Sequence, residues 1–288
     1  MDHFVGFDHL LRVFLARDAQ IRIFGPPGMI KNVAGKLAGY AWNLADEYPL
    51  VLEVTEVGSD RLTSIVTRAA DRFAVEQIGE TATDGSQPLR LVEDQAFTVD
   101  AVHLDHKIPC LAFAASESTH LNIDTEALAR LGLRPGPWLN SLKAAVRGGA
   151  PPKTLIAVSP QATLPLEMLR TELVIETPGQ RIAYVTDARF SPDNIARILM
   201  LAKGADLLVC EAPFLEVDRG RADARAHLTA RQAGALARWA EARHLKLFHF
   251  SPRYQGATDE LRREAEDEFS GRESHYGDRP ESPVIESA

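Results

Sequence analysis

Met1-Asp2-His3 leads into Phe4-Val5-Gly6-Phe7, and the meaning given to that Asp-His pair decides the fold of the whole chain. Alone, the pair reads as the charged start of a helix. From His3 to Arg17, residues Phe4, Phe7, Leu10, Leu11, Phe14 and Leu15 recur at helical spacing, which predicts a buried helix. Ile21-Arg22-Ile23-Phe24 follows as a short strand, stopped by Gly25-Pro26-Pro27-Gly28.

Further along, a helical stretch runs to about Trp42, Leu50 to Val57 alternates as a strand does, and Leu62 to Phe73 fits helical spacing. Gly79 to Pro88 reads as a polar loop. Phe97 to Leu104 is a strand ending at Asp105-His106. Asp124 caps a short helix that stops at Gly132, and Gly132 to Pro152 reads as an extended arm. Leu173 to Glu176 and Arg181 to Thr186 read as strands paired around Pro178-Gly179. Ser191-Pro192 opens a helix, Asp206 to Cys210 is a buried strand, and Thr229 with Gln232 forms a capping box. Leu245 to Phe248 is the last strand. Beyond Phe269 the polar, Pro-containing tail, 270–288, is expected to be disordered. Strands alternating with helices predict a layered α/β architecture.

Composition narrows the function classes. At 288 residues with 45% hydrophobic and 25% charged content, the chain matches an ordinary globular protein with a sizeable core. No apolar run approaches the roughly 18 residues of a membrane span, so no membrane partner is expected. Cys110 and Cys210 are isolated, which argues against thiolate zinc fingers and a disulfide framework and fits a reducing, cytoplasmic setting. A net charge of −8 argues against a uniformly basic nucleic-acid binder but permits a local basic patch.

His106, Asp187, Glu211 and His249 all fall where a predicted strand ends, the position at which layered sheets expose binding groups. Singly, each has a plain alternative. His106 reads equally as a loop histidine, Asp187 as a turn cap and His249, between Phe248 and Phe250, as a core histidine.

Together and in this order they resemble ribonuclease Z, the tRNA 3′-processing branch of the metallo-β-lactamase superfamily. Asp2-His3 resembles the end of that family's His-x-His-x-Asp-His signature. Leu104-Asp105-His106-Lys107-Ile108-Pro109 resembles its single-histidine segment. Leu131-Gly132-Leu133-Arg134-Pro135-Gly136-Pro137-Trp138, after Asn122-Ile123-Asp124, resembles its tRNA-gripping arm. His249-Phe250-Ser251-Pro252-Arg253-Tyr254 resembles its closing His-x-Ser-x-Arg-Tyr segment. The resemblance runs from residue 2 to about residue 265.

The resemblance implies a four-layer αββα sandwich over 1–269, with an arm-like excursion at about 122–153. It implies a metal-dependent phosphodiesterase using two zinc ions, or manganese or another divalent metal. Metals about 3.5–4 Å apart clamp a phosphodiester and supply hydroxide near neutral pH. Asp187 would bridge the two, Asp2, His3 and His249 would complete one site, and His106 would belong to the other. Asp2 would also accept a proton from the attacking water. His227 would protonate the leaving group, with Glu211 orienting it. The family often has histidine before this glutamate, where Cys210 stands here.

Arg130, Arg134, Lys143, Arg147 and Lys153 make 130–153 a basic stretch without an acidic residue, suited to a phosphate backbone. Arg134, Trp138, Lys143, Arg147 and Arg253 are the expected substrate contacts, with Trp138 read either as a stacking face or as an anchor. Precursor tRNA is the expected substrate and a homodimer the expected assembly. Met1 stands where the family has residues following two further histidines, so the opening strands are expected upstream of Met1 and the chain as it stands to be weak or inactive. Two alternatives remain: a hydrolase of a small phosphodiester or ester, and a truncated, non-catalytic binding module.

Overall fold

The computed structural model describes residues 4–272 and 274–278. The chain divides into a larger compact unit and a smaller one, the latter built from Asp94–Thr98 and Ser116–Gln180.

The larger unit opens with helix α1, Gly6–Phe14, then strand β1, Gln20–Gly25, and helix α2, Met29–Ala38. Gly28 at φ 97° makes the left-handed turn into α2, a conformation that glycine adopts without a Cβ penalty. Strands β2, Val51–Val57, β3, Arg61–Arg68, and β4, Val75–Ala82, complete a four-stranded sheet in the order β1-β2-β3-β4. Phe7 and Leu11 of α1 and Val33 and Leu37 of α2 pack on Leu50, Leu52, Val54 and Ile65, so helices cover one face of this sheet.

Two expectations fail here. The helix expected over Leu62 to Phe73 is β3 followed by a 3-10 turn at Ala69–Asp71. Its apolar residues fall at helical spacing, but the antiparallel ladder with β2, from Val51↔Arg68 to Val57↔Leu62, overrides that pattern and makes a strand. The polar loop expected from Gly79 starts only after β4 ends at Ala82.

Next come β5, Leu89–Glu93, β6, Phe97–Asp105, and β7, Pro109–Glu117; neither β5 nor β7 was expected from the sequence. The smaller unit then holds β8, His120–Ile123, α3, Thr125–Arg130, α4, Trp138–Arg147, β9, Leu155–Ser159, β10, Ala162–Pro165, α5, Leu166–Leu173, and β11, Val174–Thr177. Asp124 caps α3, accepting from the backbone N–H groups of Glu126 and Ala127 as its position predicts. The expected extended arm is instead a packed body. α4 occupies its centre, and Trp138, Leu142, Leu166, Leu169 and Leu173 form a core of their own. β11 pairs with β8, not with the strand after Pro178-Gly179 as the sequence suggested.

The chain returns to the larger unit with β12, Arg181–Val185, α6, Pro192–Ala202, β13, Leu207–Glu211, α7, Arg219–Arg225, α8, Ala230–Trp239, β14, Leu245–Phe248, and α9, Thr258–Phe269. The second sheet has the order β14-β13-β12-β7-β6-β5, with β12, β13 and β14 mutually parallel. Ser191 caps α6, and Thr229 with Gln232 forms the predicted capping box of α8. Ala183, Val185, Leu208 and Cys210 are fully buried against α6 and α8. Gly234 lets α8 lie directly on the α9 backbone at Ala265, where a Cβ would collide with the carbonyl.

The opposite faces of the two sheets approach where His103 Nε2 of β6 meets the Val57 carbonyl of β2 at 2.9 Å. The larger unit is therefore layered helix, sheet, sheet, helix, in the expected α/β class. Residues 274–278 pack back on this body rather than trailing away. The Tyr276 ring lies 5.2 Å from Phe190 and 6.1 Å from Trp239, and the His275 N–H satisfies buried Glu268 at 2.8 Å.

Candidate metal centre

Parallel pairing brings three strand ends together. Val185 of β12 is in register with Cys210 of β13, and Glu211 with Phe248 of β14. Asp187, Glu211 and His249 thereby gather at the carboxyl edge of adjacent strands, the place where open parallel sheets bind ligands. His106 occupies the turn from β6 to β7, and His227 lies between α7 and α8.

Backbone strain marks the same place. Among the described residues, the non-glycine residues at positive φ include Asp187 (50°) and His249 (59°) themselves, Lys107 (64°) beside His106 and Ala226 (58°) beside His227. Such conformations cost of order 1–3 kcal/mol each and persist where surrounding structure enforces them, often at functional sites.

Glu211 organises the cluster. Its side chain is fully buried, and its carboxylate accepts from the backbone N–H of Asp187 (2.9 Å), Ala188 (3.2 Å) and Leu228 (3.2 Å). His227 Nδ1 lies 3.1 Å and His249 Nδ1 3.0 Å from Glu211 Oε2. Burial pushes this carboxyl up, but hydrogen bonds from His227 and His249, the His227 charge and the Ala188 N–H outweigh it and bring it down to about 2. An ionised carboxylate only accepts, so both imidazoles donate to it from Nδ1. His106 reaches the same state by another route, with Nδ1 donating to the Ala226 carbonyl at 2.8 Å.

Asp187 sits among these rings. Its Oδ1 is 4.0 Å from His106 Nε2 and 3.8 Å from Nδ1 of both His227 and His249, beyond direct hydrogen bonding. Donor atoms of Asp187, Glu211, His227 and His249 lie within 4.8 Å of one another. One half-buried carboxylate with imidazoles around it is a nitrogen and oxygen donor set suited to zinc and other first-row divalent ions. Glu211, already engaged by N–H donors, fits the outer partner that orients histidine ligands better than a ligand. The donor set therefore fits a divalent metal.

Asp2 and His3, the remaining expected ligands, lie outside the described residues. A cavity of about 770 Å³ opens on His106 and Asp187, walled by Phe24, Met29, Phe113 and Lys31 among others. Cys110 also lines it; burial, and then the charge of Asp187, push its thiol up to about 11, so it stays protonated at neutral pH.

Asn194, which the sequence did not single out, fixes the His106 turn. Its buried amide accepts from the Asp105 N–H and donates to the carbonyls of Asp105 and Arg189, each at 2.9 Å. The only sequence sign of it was its place in the first turn after the Ser191 cap.

The expected substrate residues fall in two groups. Arg134 and Arg147 are exposed and Lys143 half-buried, all in the smaller unit. Trp138 is only 9% exposed and its indole N–H donates to the Arg134 carbonyl at 3.0 Å, so it anchors the core and offers no face to a base. Arg253 is exposed on the 3-10 turn Pro252–Tyr254 in the larger unit, three residues after Phe250.

No protein-family model matches the chain. Among curated relatives, ribonuclease Z of Deinococcus radiodurans is 34% identical over 261 residues, covering 89% of this chain and 75% of that protein. Ribonuclease Z of Nocardia farcinica is 36% identical over 178 residues, 62% of this chain and 52% of the relative. Of solved structures, the metallo-β-lactamase fold protein YhfI from Bacillus subtilis has 16% identity and a TM-score of 0.48, covering 93% of this chain and 67% of that one. The short form of human tRNase Z has 17% identity and a TM-score of 0.43, covering 88% and 70%. The identity to the Deinococcus protein across three quarters of its length decides the matter: the chain belongs to the ribonuclease Z family.

Proposed function

We propose that this chain is a metal-dependent endoribonuclease that cleaves precursor tRNA at its 3′ end. The observation that carries the reading is the meeting of Asp187, His106, His227 and His249 around buried, ionised Glu211 in a ribonuclease Z family member. His106, Asp187 and His249, together with Asp2 and His3, would hold two divalent ions, zinc by donor chemistry. When bound, such ions polarise a phosphodiester and lower the pKa of water to near neutrality.

The protein side chains do the rest. Glu211 holds His227 with Nδ1 protonated, so that a proton gained at Nε2 can pass to the departing 3′ oxygen. This role contributes about 10²–10⁴-fold in rate. Asp187, placed at the strand edge by its left-handed backbone, would supply the shared carboxylate. Asp2 would take the proton released by the attacking water. The exposed cations Arg134, Arg147 and Arg253, with half-buried Lys143, would contact the tRNA backbone. Among the described residues no helix is long and apolar enough to cross a membrane; a cytoplasmic homodimer completes the proposal.

The test is cleavage of precursor tRNA with mapping of the product ends, before and after chelation. A metal-dependent cut leaving a 3′-hydroxyl on the tRNA supports the reading. Hydrolysis of bis(p-nitrophenyl) phosphate without cleavage of precursor tRNA would favour the small-substrate alternative.

A further inference from the structure

A second cavity, of about 470 Å³, lies beside the metal centre and shares the Ile108-Pro109 wall with the first. Its cations are Arg197, from the face of α6 that also carries Asn194, and Lys107, the residue after His106. The Arg197 guanidinium donates one bond, from Nη1 to the His103 carbonyl at 3.0 Å, and among the described residues no carboxylate pairs with it. A guanidinium offers five N–H donors, so most of its capacity is left for a ligand of the cavity that Arg197 lines. The Lys107 ammonium donates to the Ala224 carbonyl at 2.6 Å and keeps two further N–H groups.

The one carboxylate in the wall, Asp105, is already compensated. It accepts from the Lys107 N–H at 2.7 Å and pairs with Arg189 at 3.4 Å. His103 is engaged on both ring nitrogens, with Nε2 donating to the Val57 carbonyl and Nδ1 meeting the Gln87 amide. The cavity therefore presents net positive charge over an apolar floor of Leu104, Ile108 and Pro109, which matches a sugar-phosphate unit.

We propose that this cavity is a subsite for a backbone phosphate of the RNA adjacent to the scissile one, with Arg197 and Lys107 as its ligands. The proposal rests on the reading of the chain as a nuclease acting on tRNA precursors. Placement beside His106 gives it a purpose: a second phosphate gripped one step from the cut sets the register of the strand over the metals.

The experiment measures the affinity of the full chain for precursor tRNA across a salt series, for wild type, Arg197→Gln, Arg197→Lys and Arg243→Gln. Arg243 is exposed, pairs with Asp206, and serves as the control. Loss of one phosphate contact lowers the log–log salt slope by about 0.7–0.9. Arg197→Gln is expected to show that decrease with weaker binding, Arg197→Lys to recover most of it, and Arg243→Gln to match wild type. Equal slopes for Arg197→Gln and wild type, with both folded by circular dichroism, would overturn the subsite. So would an equal loss in Arg243→Gln, which would mark a general charge effect. Failure of wild type to bind precursor tRNA at all would defeat the nuclease reading, and the subsite with it.

Discussion

Glu211 to Gln is the sharpest single-residue perturbation of this site. The side chain is fully buried and accepts from three backbone N–H groups and two imidazoles, so a neutral amide would turn its own N–H donors against some of them. Breaking such a network costs about 3–5 kcal/mol, measurable by urea unfolding of the metal-free protein. The pH dependence has a definite sign. A carboxyl held down to about 2 when folded contributes stability that is full above its unfolded value, 4.5, and is lost as pH falls through about 2. Wild type should therefore lose more stability than Glu211→Gln between pH 4.5 and 2; parallel curves would refute the assignment. His227→Ala should lower kcat for precursor tRNA by about 10²–10⁴ while metal content stays at the wild-type level, and loss of metal would make His227 a ligand instead.

At the scale of elements, α6 and β6 act together through Asn194, whose amide closes on both backbone groups of Asp105. Asn194→Ala leaves buried N–H and carbonyl groups without partners and lets the His106 turn relax. The expected outcome is a loss of about 2–3 kcal/mol and metal affinity weakened some 10–100-fold, read by competition with a chromogenic chelator. Gly234→Ala tests the contact of α8 with α9. Its Cβ meets the Ala265 carbonyl, so the helices must part, at a cost of about 1–3 kcal/mol in thermal or urea unfolding. A change below 0.5 kcal/mol would mean that the contact is looser than described.

Elements with local signals were legible in the sequence. The Asp124, Ser191 and Thr229 caps and the buried strand before Glu211 announced themselves through side-chain chemistry at fixed offsets. β3 was not legible because Leu62, Ile65 and Val66, continued by Ala69 and Phe73 beyond it, fall at helical spacing, and only the ladder to β2 overrides that local pattern. The pairing of β11 with β8 joins residues some 50 positions apart, which no local pattern encodes.

The site's chemistry was legible as residue types at strand ends, while its geometry belongs to the whole molecule. Register between β12, β13 and β14 brings Asp187, Glu211 and His249 together, and the Ala226 carbonyl that sets the His106 tautomer comes from 120 residues away. That Glu211 serves His249 as well as His227 follows from the same assembly. The packed smaller unit was read as an arm because its Gly-Pro segment masks α4, whose apolar face becomes meaningful only against α5 and β9. Asp187 stands at the centre of the proposed function, so the most direct test pairs metal content with cleavage of precursor tRNA for wild type and Asp187→Ala. Against the weak or absent activity expected from the sequence alone, the account predicts that wild type carries divalent metal and releases tRNA with a 3′-hydroxyl, and that Asp187→Ala, folded, loses both. Wild-type cleavage by Asp187→Ala, or by fully chelated protein, would contradict it.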